Sequence, residues 1–312
     1  METDPRLEPS RRPAPAVDLA DRPTALVTGS NGGVGLALAQ KLGRAGWRVL
    51  LHGRDGDKLA RAHARMDVGA PHEAFQADLA NPDAVRRLAD SVREATDRLD
   101  VLVHNAGLVR PSRERTAGGA EMTVAVNALA PFVLTEALRP LLERTAADHD
   151  GARVVTVSSE AQKAARLPAA SPEGVAEVLR GTGRERYSSI RAYAQSKLVA
   201  TVWTLELARR LEGAGVTANA CHPGVVRTGV FGGVGGVVGL LAQAASPLYL
   251  SPEQGAESPF LLATAPRYGQ RTGRWVTRGR FRGPHEAAPP GQAADPAVGG
   301  AVWDALARLA GD

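Results

Sequence analysis

A glycine-rich turn near the start of the chain restricts the possible folds more than any other segment. A short β-prone run at 24–27 leads into Thr28-Gly29-Ser30-Asn31-Gly32-Gly33-Val34-Gly35, and a helix-forming segment follows it. Glycines at such a turn let backbone N–H groups approach phosphate, and the start of the next helix adds positive potential. A strand, a glycine turn and a helix in this order therefore predict a site for a dinucleotide pyrophosphate. The residues expected to form it are Gly29, Ser30, Asn31, Gly33, Val34 and Gly35.

Strand-like and helix-like segments alternate along the rest of the chain. The apolar runs that predict strands lie at 24–27, 48–51, 73–77, 100–103, 153–157, 216–220 and 275–276. Regular alternation of this kind indicates a parallel sheet covered by helices on both faces. We therefore expect an α/β fold with a doubly wound parallel sheet of about seven strands, a Rossmann fold with three α/β/α layers. One domain would occupy residues 23–312.

The N-terminal segment and the cysteine count suggest a location. Residues 1–22 are charged and rich in proline, so they are expected to form a disordered tail. Cys221 is the only cysteine, which excludes an internal disulfide, and the N-terminus lacks the apolar region of a secretory signal. These features predict a cytoplasmic protein.

The positive charge of the chain raises the question of an anionic partner. The formal net charge is +5 and the isoelectric point is near 9.8, but arginines and acids are interspersed and no nucleic-acid-binding module is recognisable. We therefore expect no nucleic-acid partner. One local cluster of arginines occupies 267–282, and a solvated surface is favoured there over an anionic substrate or a membrane surface.

Residues after the second, third and fourth predicted strands point to the type of dinucleotide. An arginine after the second strand can bind a 2′-phosphate, whereas NAD sites usually carry a carboxylate there, so Arg54 favours NADP(H) over NAD(H). A solvated surface arginine is the alternative, and Asp55 next to it weakens the inference. Asp78-Leu79 follows the third strand, within reach of an adenine amino group. The small residues of Asn105-Ala106-Gly107 leave room for a cofactor at the end of the fourth strand.

A tyrosine and a lysine four residues apart are the strongest candidates for chemistry. Tyr193 and Lys197 fall in a predicted helix at 187–211, where residues at this spacing are neighbours. A nearby cation lowers the pKa of a phenol, which suits Tyr193 to general acid catalysis. Alone, such a pair is more often solvated. Asn127, in an otherwise apolar stretch, is either a structural hydrogen-bonding residue or part of a site.

Two segments fall outside the regular alternation. Residues 160–186 contain several prolines and glycines and are expected to form an irregular insertion before the tyrosine helix. Residues 229–250 carry no charge and are long enough to resemble a membrane span. Their glycines and proline favour instead a mobile lid over an apolar pocket, so we expect no integral membrane span.

Four motifs, in order and at suitable spacings, resemble the short-chain dehydrogenase/reductase superfamily over residues 23–310. They are Thr28-Gly29-x-x-x-Gly33-x-Gly35, Asn105-Ala106-Gly107, Ser159 and Tyr193-x-x-x-Lys197. Further features resemble the retinol-dehydrogenase-like branch: Gly53-Arg54, the long gap before Tyr193, Tyr187, Ser196-Lys197-Leu198 and Ser251-Pro252-Glu253-Gln254-Gly255-Ala256. His104 departs from the family's usual asparagine.

The resemblance implies a role for each matching residue. Tyr193 would be the catalytic acid/base, and Lys197 would lower its pKa and hold the nicotinamide ribose. Ser159, the second serine of its pair, would bind the substrate oxygen, and Asn127 would order a water in a proton relay. The cofactor site would also include Tyr193, Lys197, Pro223, Gly224, Val226 and Thr228.

The resulting hypothesis is an NADPH-dependent carbonyl reductase, or an alcohol dehydrogenase in the reverse direction. The uncharged segment at 229–250 suggests a hydrophobic ketone, aldehyde or alcohol as substrate. The alternative is a non-catalytic NADP-binding sensor or interaction protein on the same fold. A hydrolase is disfavoured because Thr28 stands where a nucleophile elbow around Ser30 requires glycine, and no spacing suggests a metal site. The resemblance permits a homodimer or tetramer.

Overall fold

The computed structural model describes residues 22–66, 72–167, 171–182, 186–226 and 249–311. The predicted N-terminal tail, apart from Arg22, lies outside these residues. So does the predicted lid, apart from Tyr249 and Leu250, and so does Thr228, one of the predicted cofactor contacts.

One sheet of eight strands forms the centre of the described chain, in the order β3-β2-β1-β4-β5-β6-β7-β8. The first seven strands are parallel, and β8 runs antiparallel to β7. The doubly wound fold predicted from the sequence is confirmed, with one strand more than expected. The strands are β1 Thr24–Val27, β2 Arg48–Gly53, β3 His72–Gln76, β4 Val101–His104, β5 Ala152–Val157, β6 Val216–Cys221, β7 Trp275–Thr277 and β8 His285–Ala287.

Helices cover both faces of this sheet. Successive side chains of a strand point to opposite faces, so Leu26 enters one apolar core while Ala25 and Val27 enter the other. The helices are α1 Gly33–Arg44, α2 Gly56–His63, α3 Pro82–Ala95, α4 Met122–Asp148, α5 Pro172–Arg180, α6 Ser189–Arg210, α7 Pro252–Gly255, α8 Glu257–Thr264 and α9 Pro296–Gly311. The first core includes α3, α4, α6 and α9, and the second includes α1 and α8.

Helix α4 contains a turn of π-helix at Ala125–Leu129, which includes Asn127. Among the described residues it is the helix long and apolar enough to cross a membrane by length and composition. However, 78% of its most apolar window is buried inside the protein, as is common for core helices. Its composition is therefore weak evidence for a membrane span.

The insertion at 160–186 is more regular than the sequence analysis expected. A 3-10 helix covers Glu160–Ala164, and α5 occupies Pro172–Arg180. Ser171 caps α5 by accepting a hydrogen bond from the Gly174 N–H at 3.2 Å, and Gly181 ends it in the left-handed region at φ 60°. Val175 and Leu179 of α5 are fully buried in the core that also contains α9. The insertion therefore extends the core on the side of the tyrosine helix.

Candidate active site

The glycine turn between β1 and α1 forms a cradle that side chains would fill. Gly29 and Gly33 have φ values of 66° and 54°, a region that favours glycine. A Cβ on Gly29 would lie 2.8 Å from the Cα of Ala106, and one on Gly35 would collide with Asn105 Nδ2 and the Gly29 carbonyl. Helix α1 begins at Gly33 with no acid in its first turn. The backbone thus fits an anionic group such as a pyrophosphate.

His52, at the end of β2, holds this turn in place. Its Nδ1 accepts a hydrogen bond from the Gly29 N–H at 3.2 Å, and its Nε2 donates to the carbonyl of Ala77 at 3.2 Å. These partners require the neutral imidazole with its proton on Nε2. Burial lowers the pKa of His52 to about 4, in agreement with this state. No motif in the sequence predicts this role of His52.

Thr28 and Asn105 join the glycine turn to the end of β4. The Thr28 Oγ1 accepts hydrogen bonds from the N–H groups of Asn105 and Ala106, at 3.0 and 3.1 Å. The Nδ2 of Asn105 donates to the Thr28 carbonyl at 2.9 Å. The two motifs recognised in the sequence are therefore parts of one rigid edge of the sheet.

Ser159, Tyr193 and Lys197 lie together at this same edge. Ser159 follows β5, and its hydroxyl is close enough to the phenol of Tyr193 on α6 to lower the pKa of that phenol. The Lys197 ammonium lies 5.9 Å from the centroid of the Tyr193 ring and donates to the Val157 carbonyl at 2.9 Å. Gly107 leaves the space beside this ammonium open, since a Cβ there would lie 3.4 Å from Lys197 Nζ. The arrangement brings together a phenol that can donate a proton, a hydroxyl and a cation.

Burial determines the protonation states of Tyr193 and Lys197. It raises the pKa of Tyr193, an effect that the hydrogen bond from Ser159 opposes, and it lowers the pKa of Lys197 to about 8. The spacing of Tyr193 and Lys197 in the sequence predicts that Lys197 lowers the pKa of the tyrosine. In this structure burial is the larger influence on Tyr193. The phenol therefore keeps its proton at neutral pH.

The two consecutive serines have different surroundings. Ser158 is buried, and its Oγ donates to the Lys197 carbonyl at 2.9 Å while accepting from Thr201 Oγ1 at 2.9 Å. Ser159 instead caps the 3-10 helix by accepting from the Ala161 N–H at 3.2 Å, and its hydroxyl faces Tyr193. The geometry agrees with the choice of Ser159 over Ser158 as the candidate site residue.

Asn127 is fully engaged in hydrogen bonds within the protein. Its Oδ1 accepts from the Leu108 N–H at 2.8 Å, and its Nδ2 donates to the Leu108 carbonyl at 3.0 Å and to Ser196 Oγ at 2.9 Å. It is 2% exposed and does not line the cleft directly. Asn127 thus makes structural hydrogen bonds close to Gly107 and Lys197, and its role in a proton relay stays a prediction.

A single cleft of about 1010 Å³ connects the glycine turn to Tyr193, a volume at the upper end of ligand-binding pockets. Ser30 does not line it, because this buried side chain exchanges hydrogen bonds with the backbone of His52 at 2.9 and 3.3 Å. The other predicted site residues in the described chain, Asn127 excepted, all line it. They are Gly29, Asn31, Gly33, Val34, Gly35, Arg54, Asp78, Leu79, Asn105, Ala106, Gly107, Ser159, Tyr193, Lys197, Pro223, Gly224 and Val226.

Two basic side chains lie beyond the carboxyl end of β2. Arg54 is exposed and lines the cleft, and Lys58 of α2 lines it as well. The intervening carboxylate of Asp55 caps α2, accepting from the Lys58 N–H at 3.0 Å, and lies 3.5 Å from Lys58 Nζ. The backbone hydrogen bond is the main reason that the pKa of Asp55 is lowered. Lys58 was missed in the sequence, although its position one turn into a helix that follows Arg54 was a usable signal.

Comparison with known proteins identifies the family of the chain. Residues 23–171 match the family model described as short chain dehydrogenase. Human retinol dehydrogenase 13 is 34% identical over 297 residues, covering 92% of this chain and 84% of that protein. Mouse polyprenol dehydrogenase is 34% identical over 294 residues, with coverage of 92% and 83%.

The fold is also shared with solved structures. The complex described as Pseudomonas aeruginosa RhlG/NADP active-site complex superimposes with a TM-score of 0.66 at 27% identity, over 84% of this chain and 96% of that one. Relatives of this similarity along nearly the whole chain, together with the four motifs at one cleft, settle the family. The chain belongs to the short-chain dehydrogenase/reductase family, in its retinol-dehydrogenase-like branch, and is an oxidoreductase acting on CH–OH or C=O groups.

Proposed function

We propose that this protein transfers a hydride between NADPH and the carbonyl group of a hydrophobic small molecule, with Tyr193 as the acid/base. The observation that carries the proposal is that Ser159, Tyr193 and Lys197 line one cleft that begins at the glycine turn, with the Lys197 ammonium 5.9 Å from the centroid of the Tyr193 ring. A protein that only senses or stores the cofactor has no need for these three side chains together.

The cleft has the features that a nicotinamide dinucleotide requires. The glycine turn and the start of α1 would hold the pyrophosphate, Asp78 and Leu79 would flank the adenine, and Lys197 would hold the nicotinamide ribose. The bound cofactor supplies or accepts the hydride. The protein orients the cofactor and the substrate and supplies the proton.

The proton transfer is assigned to the phenol of Tyr193. In reduction, the substrate oxygen accepts hydrogen bonds from Ser159 Oγ and Tyr193 Oη, and the Tyr193 proton moves to that oxygen. Because burial raises the pKa of Tyr193, the phenol is protonated and ready to donate at neutral pH. The Lys197 ammonium stabilises the phenolate that forms, and its pKa of about 8 leaves most of it charged at pH 7. In oxidation the same phenolate accepts the alcohol proton.

The preference for NADP(H) rests on the charges at the end of β2. Arg54 and Lys58 both line the cleft, and a guanidinium can bind a 2′-phosphate through two parallel hydrogen bonds. Asp55 lines the same part of the cleft, and its carboxylate would repel such a phosphate. The Lys58 N–H and ammonium offset that charge, since the carboxylate accepts from the first at 3.0 Å and lies 3.5 Å from the second.

The substrate is proposed to be apolar. Apolar side chains line part of the cleft, among them Leu108, Val109, Val126, Val225 and Val226. Two relatives are named for retinol and for polyprenol, both of them hydrophobic alcohols. These observations favour a lipophilic alcohol or carbonyl compound over a sugar or an acid.

The test is turnover of NADPH with a panel of ketones and aldehydes of increasing hydrophobicity. Tyr193→Phe is expected to bind NADPH normally and to lose about 100-fold or more in kcat. Tyr268→Phe, which removes a phenol outside the cleft, is the matched control and should retain activity. Full turnover by Tyr193→Phe contradicts the acid/base assignment. Tight NADPH binding without turnover on any substrate would instead identify a cofactor-binding sensor.

A further inference from the structure

The loop between β7 and β8 exposes a phenylalanine between two arginines. Arg280-Phe281-Arg282 forms its tip, and Phe281 is 95% exposed, the highest value among the large hydrophobic side chains described. The Arg280 guanidinium lies 5.6 Å from the centroid of the Phe281 ring. Single exposed apolar side chains are common on protein surfaces, so the surroundings of this ring decide whether it indicates a partner.

The base of this loop is held firmly. The Arg278 side chain is 8% exposed, and its Nη1 donates to the Gln254 carbonyl and to Glu257 Oε2, both at 2.6 Å. The Gly279 N–H donates to the Arg282 carbonyl at 3.1 Å and closes the turn. The body of the protein therefore presents Phe281 outward on a short, anchored hairpin.

The hairpin stands beside the mouth of the cleft. Strand β7 is parallel to β6, so its carboxyl end reaches the edge of the sheet at which the cleft lies. Thr277 Oγ1 donates to Glu160 Oε1 at 3.1 Å, and a Cβ on Gly224 would lie 3.6 Å from the Arg278 carbonyl. Glu160 and Gly224 both line the cleft.

Two other large hydrophobic side chains of the described residues are exposed. Val225 is 60% exposed and lines the cleft, and Ile190 is 48% exposed, one turn before Tyr193 on α6. We call Val225, Arg280, Phe281 and Arg282 the cleft-edge surface. Exposed apolar side chains are thus gathered where a substrate would enter.

The arginine cluster seen in the sequence does not form one patch. Arg271 and Arg274 precede β7, so they lie at the amino ends of the strands, opposite the cleft. Arg271 Nη2 pairs with Glu286 Oε2 at 2.8 Å. Arg267 packs over the ring of Tyr268 at 5.1 Å, and Arg278 is committed to Glu257. The charges that accompany Phe281 are those of Arg280 and Arg282.

We propose that the cleft-edge surface docks the protein onto an anionic lipid bilayer. An aromatic side chain flanked by arginines suits a bilayer surface, because the ring enters the boundary between headgroups and acyl chains while the guanidinium groups contact lipid phosphates. Docked in this way, the cleft mouth faces the layer in which an apolar substrate dissolves. The delivery of an apolar substrate from the bilayer to the cleft rests on the proposed function, whereas the binding of the protein to the bilayer does not.

The test is sedimentation of the full-length protein with vesicles, without cofactor or substrate. Wild-type protein is expected to bind vesicles of phosphatidylcholine with phosphatidylglycerol, and to bind vesicles of phosphatidylcholine alone much more weakly. Phe281→Ser should weaken the partition coefficient about tenfold. Arg280→Gln with Arg282→Gln should weaken it about twentyfold, and added salt should reduce the difference between this double variant and wild type.

Arg274→Gln is the matched control, since it removes an exposed arginine from the opposite edge and should leave binding unchanged. Thermal unfolding of each variant should match wild type, because the replaced side chains are exposed. Wild-type protein that binds neither kind of vesicle overturns the proposal, and so does binding that is equal in wild type and Phe281→Ser. A lack of turnover with every substrate would count against the proposed function alone.

Discussion

Asn127 donates from its Nδ2 to the Oγ of Ser196 at 2.9 Å, which joins the π-helical turn of α4 to the helix that carries Tyr193. The Ser196 hydroxyl in turn donates to the Tyr193 carbonyl at 2.7 Å. Both side chains are buried, so each depends on the other to satisfy its polar atoms. The position of the helix that carries Tyr193 is thereby coupled to the loop after β4.

Removal of the Ser196 hydroxyl tests this coupling. Ser196→Ala leaves one N–H of Asn127 without an acceptor in a buried place, which should lower the free energy of unfolding by about 1–3 kcal/mol. We also expect a fall in kcat with little change in the Kd for NADPH. Ser196→Thr, which keeps the hydroxyl, should recover part of both losses. Unchanged stability and turnover in Ser196→Ala would show that the hydrogen bond is dispensable.

Two neighbouring glycines of the first turn should respond differently to the same substitution. In Gly35→Ala the new methyl group would collide with Asn105 Nδ2 and the Gly29 carbonyl, whereas in Gly32→Ala it would meet nothing within 4 Å. We expect Gly35→Ala to lower the Tm and weaken NADPH binding, and Gly32→Ala to keep the Tm of wild type. Thermal unfolding without cofactor, followed by NADPH titration, measures both effects. Equal Tm values for the two variants would contradict the close packing at Gly35.

The proposed cofactor preference is tested at the end of β2. Arg54→Gln should raise the KM for NADPH by about tenfold or more, because a charge-assisted hydrogen bond to the 2′-phosphate is lost. The KM for NADH should stay nearly constant, since NADH lacks that phosphate. Arg61→Gln, on α2 but not lining the cleft, is the control. A parallel loss for both cofactors would remove Arg54 from phosphate recognition.

Three buried histidines predict weaker stability in mild acid. Burial lowers the pKa of His104 from 6.5 to about 3, and those of His52 and His222 to about 4. Below pH 6.5 the unfolded chain binds protons that the folded chain does not, so the free energy of unfolding falls as pH falls toward 4. The contribution of His104 between pH 7 and pH 5 is about 2 kcal/mol.

His104→Asn isolates this effect at one position. His104 is buried at the end of β4, where its Nε2 lies 2.7 Å from Thr135 Oγ1. The variant should lose less stability than wild type when the pH is lowered from 7 to 5, whatever its stability at pH 7. Urea unfolding at the two pH values measures the difference. Identical pH dependence in both proteins would mean that His104 is not the neutral residue that its burial requires.

Much of the fold and of the site could be predicted because short-range patterns determine them. The glycine turn, the small residues of Asn105-Ala106-Gly107 and the Tyr193 and Lys197 pair each depend on a few neighbouring residues. The parallel sheet then brings them together, because it places the carboxyl ends of its strands at one edge. Strand β8 was missed, since three residues with partial burial give no alternating pattern. Helix α5 was missed too, although Ser171-Pro172 and Gly181 are recognisable start and stop signals.

The protonation of the site could not be predicted from the sequence. The i, i+4 spacing suggested a lower pKa for Tyr193, but spacing carries no information about burial, which dominates in this structure. The role of His52 was equally hidden, because its partners Gly29 and Ala77 are distant in the chain. Such contacts can be recognised only when the pairing of neighbouring strands is known.

Cys221, the only cysteine of the chain, is fully buried at the end of β6, and burial raises the pKa of its thiol. A thiol that is both inaccessible and protonated reacts poorly with alkylating reagents. The natural protein is therefore ready for site-specific labelling: a cysteine introduced at the exposed position of Phe281 would carry a fluorophore or spin probe alone, with no native thiol to remove first.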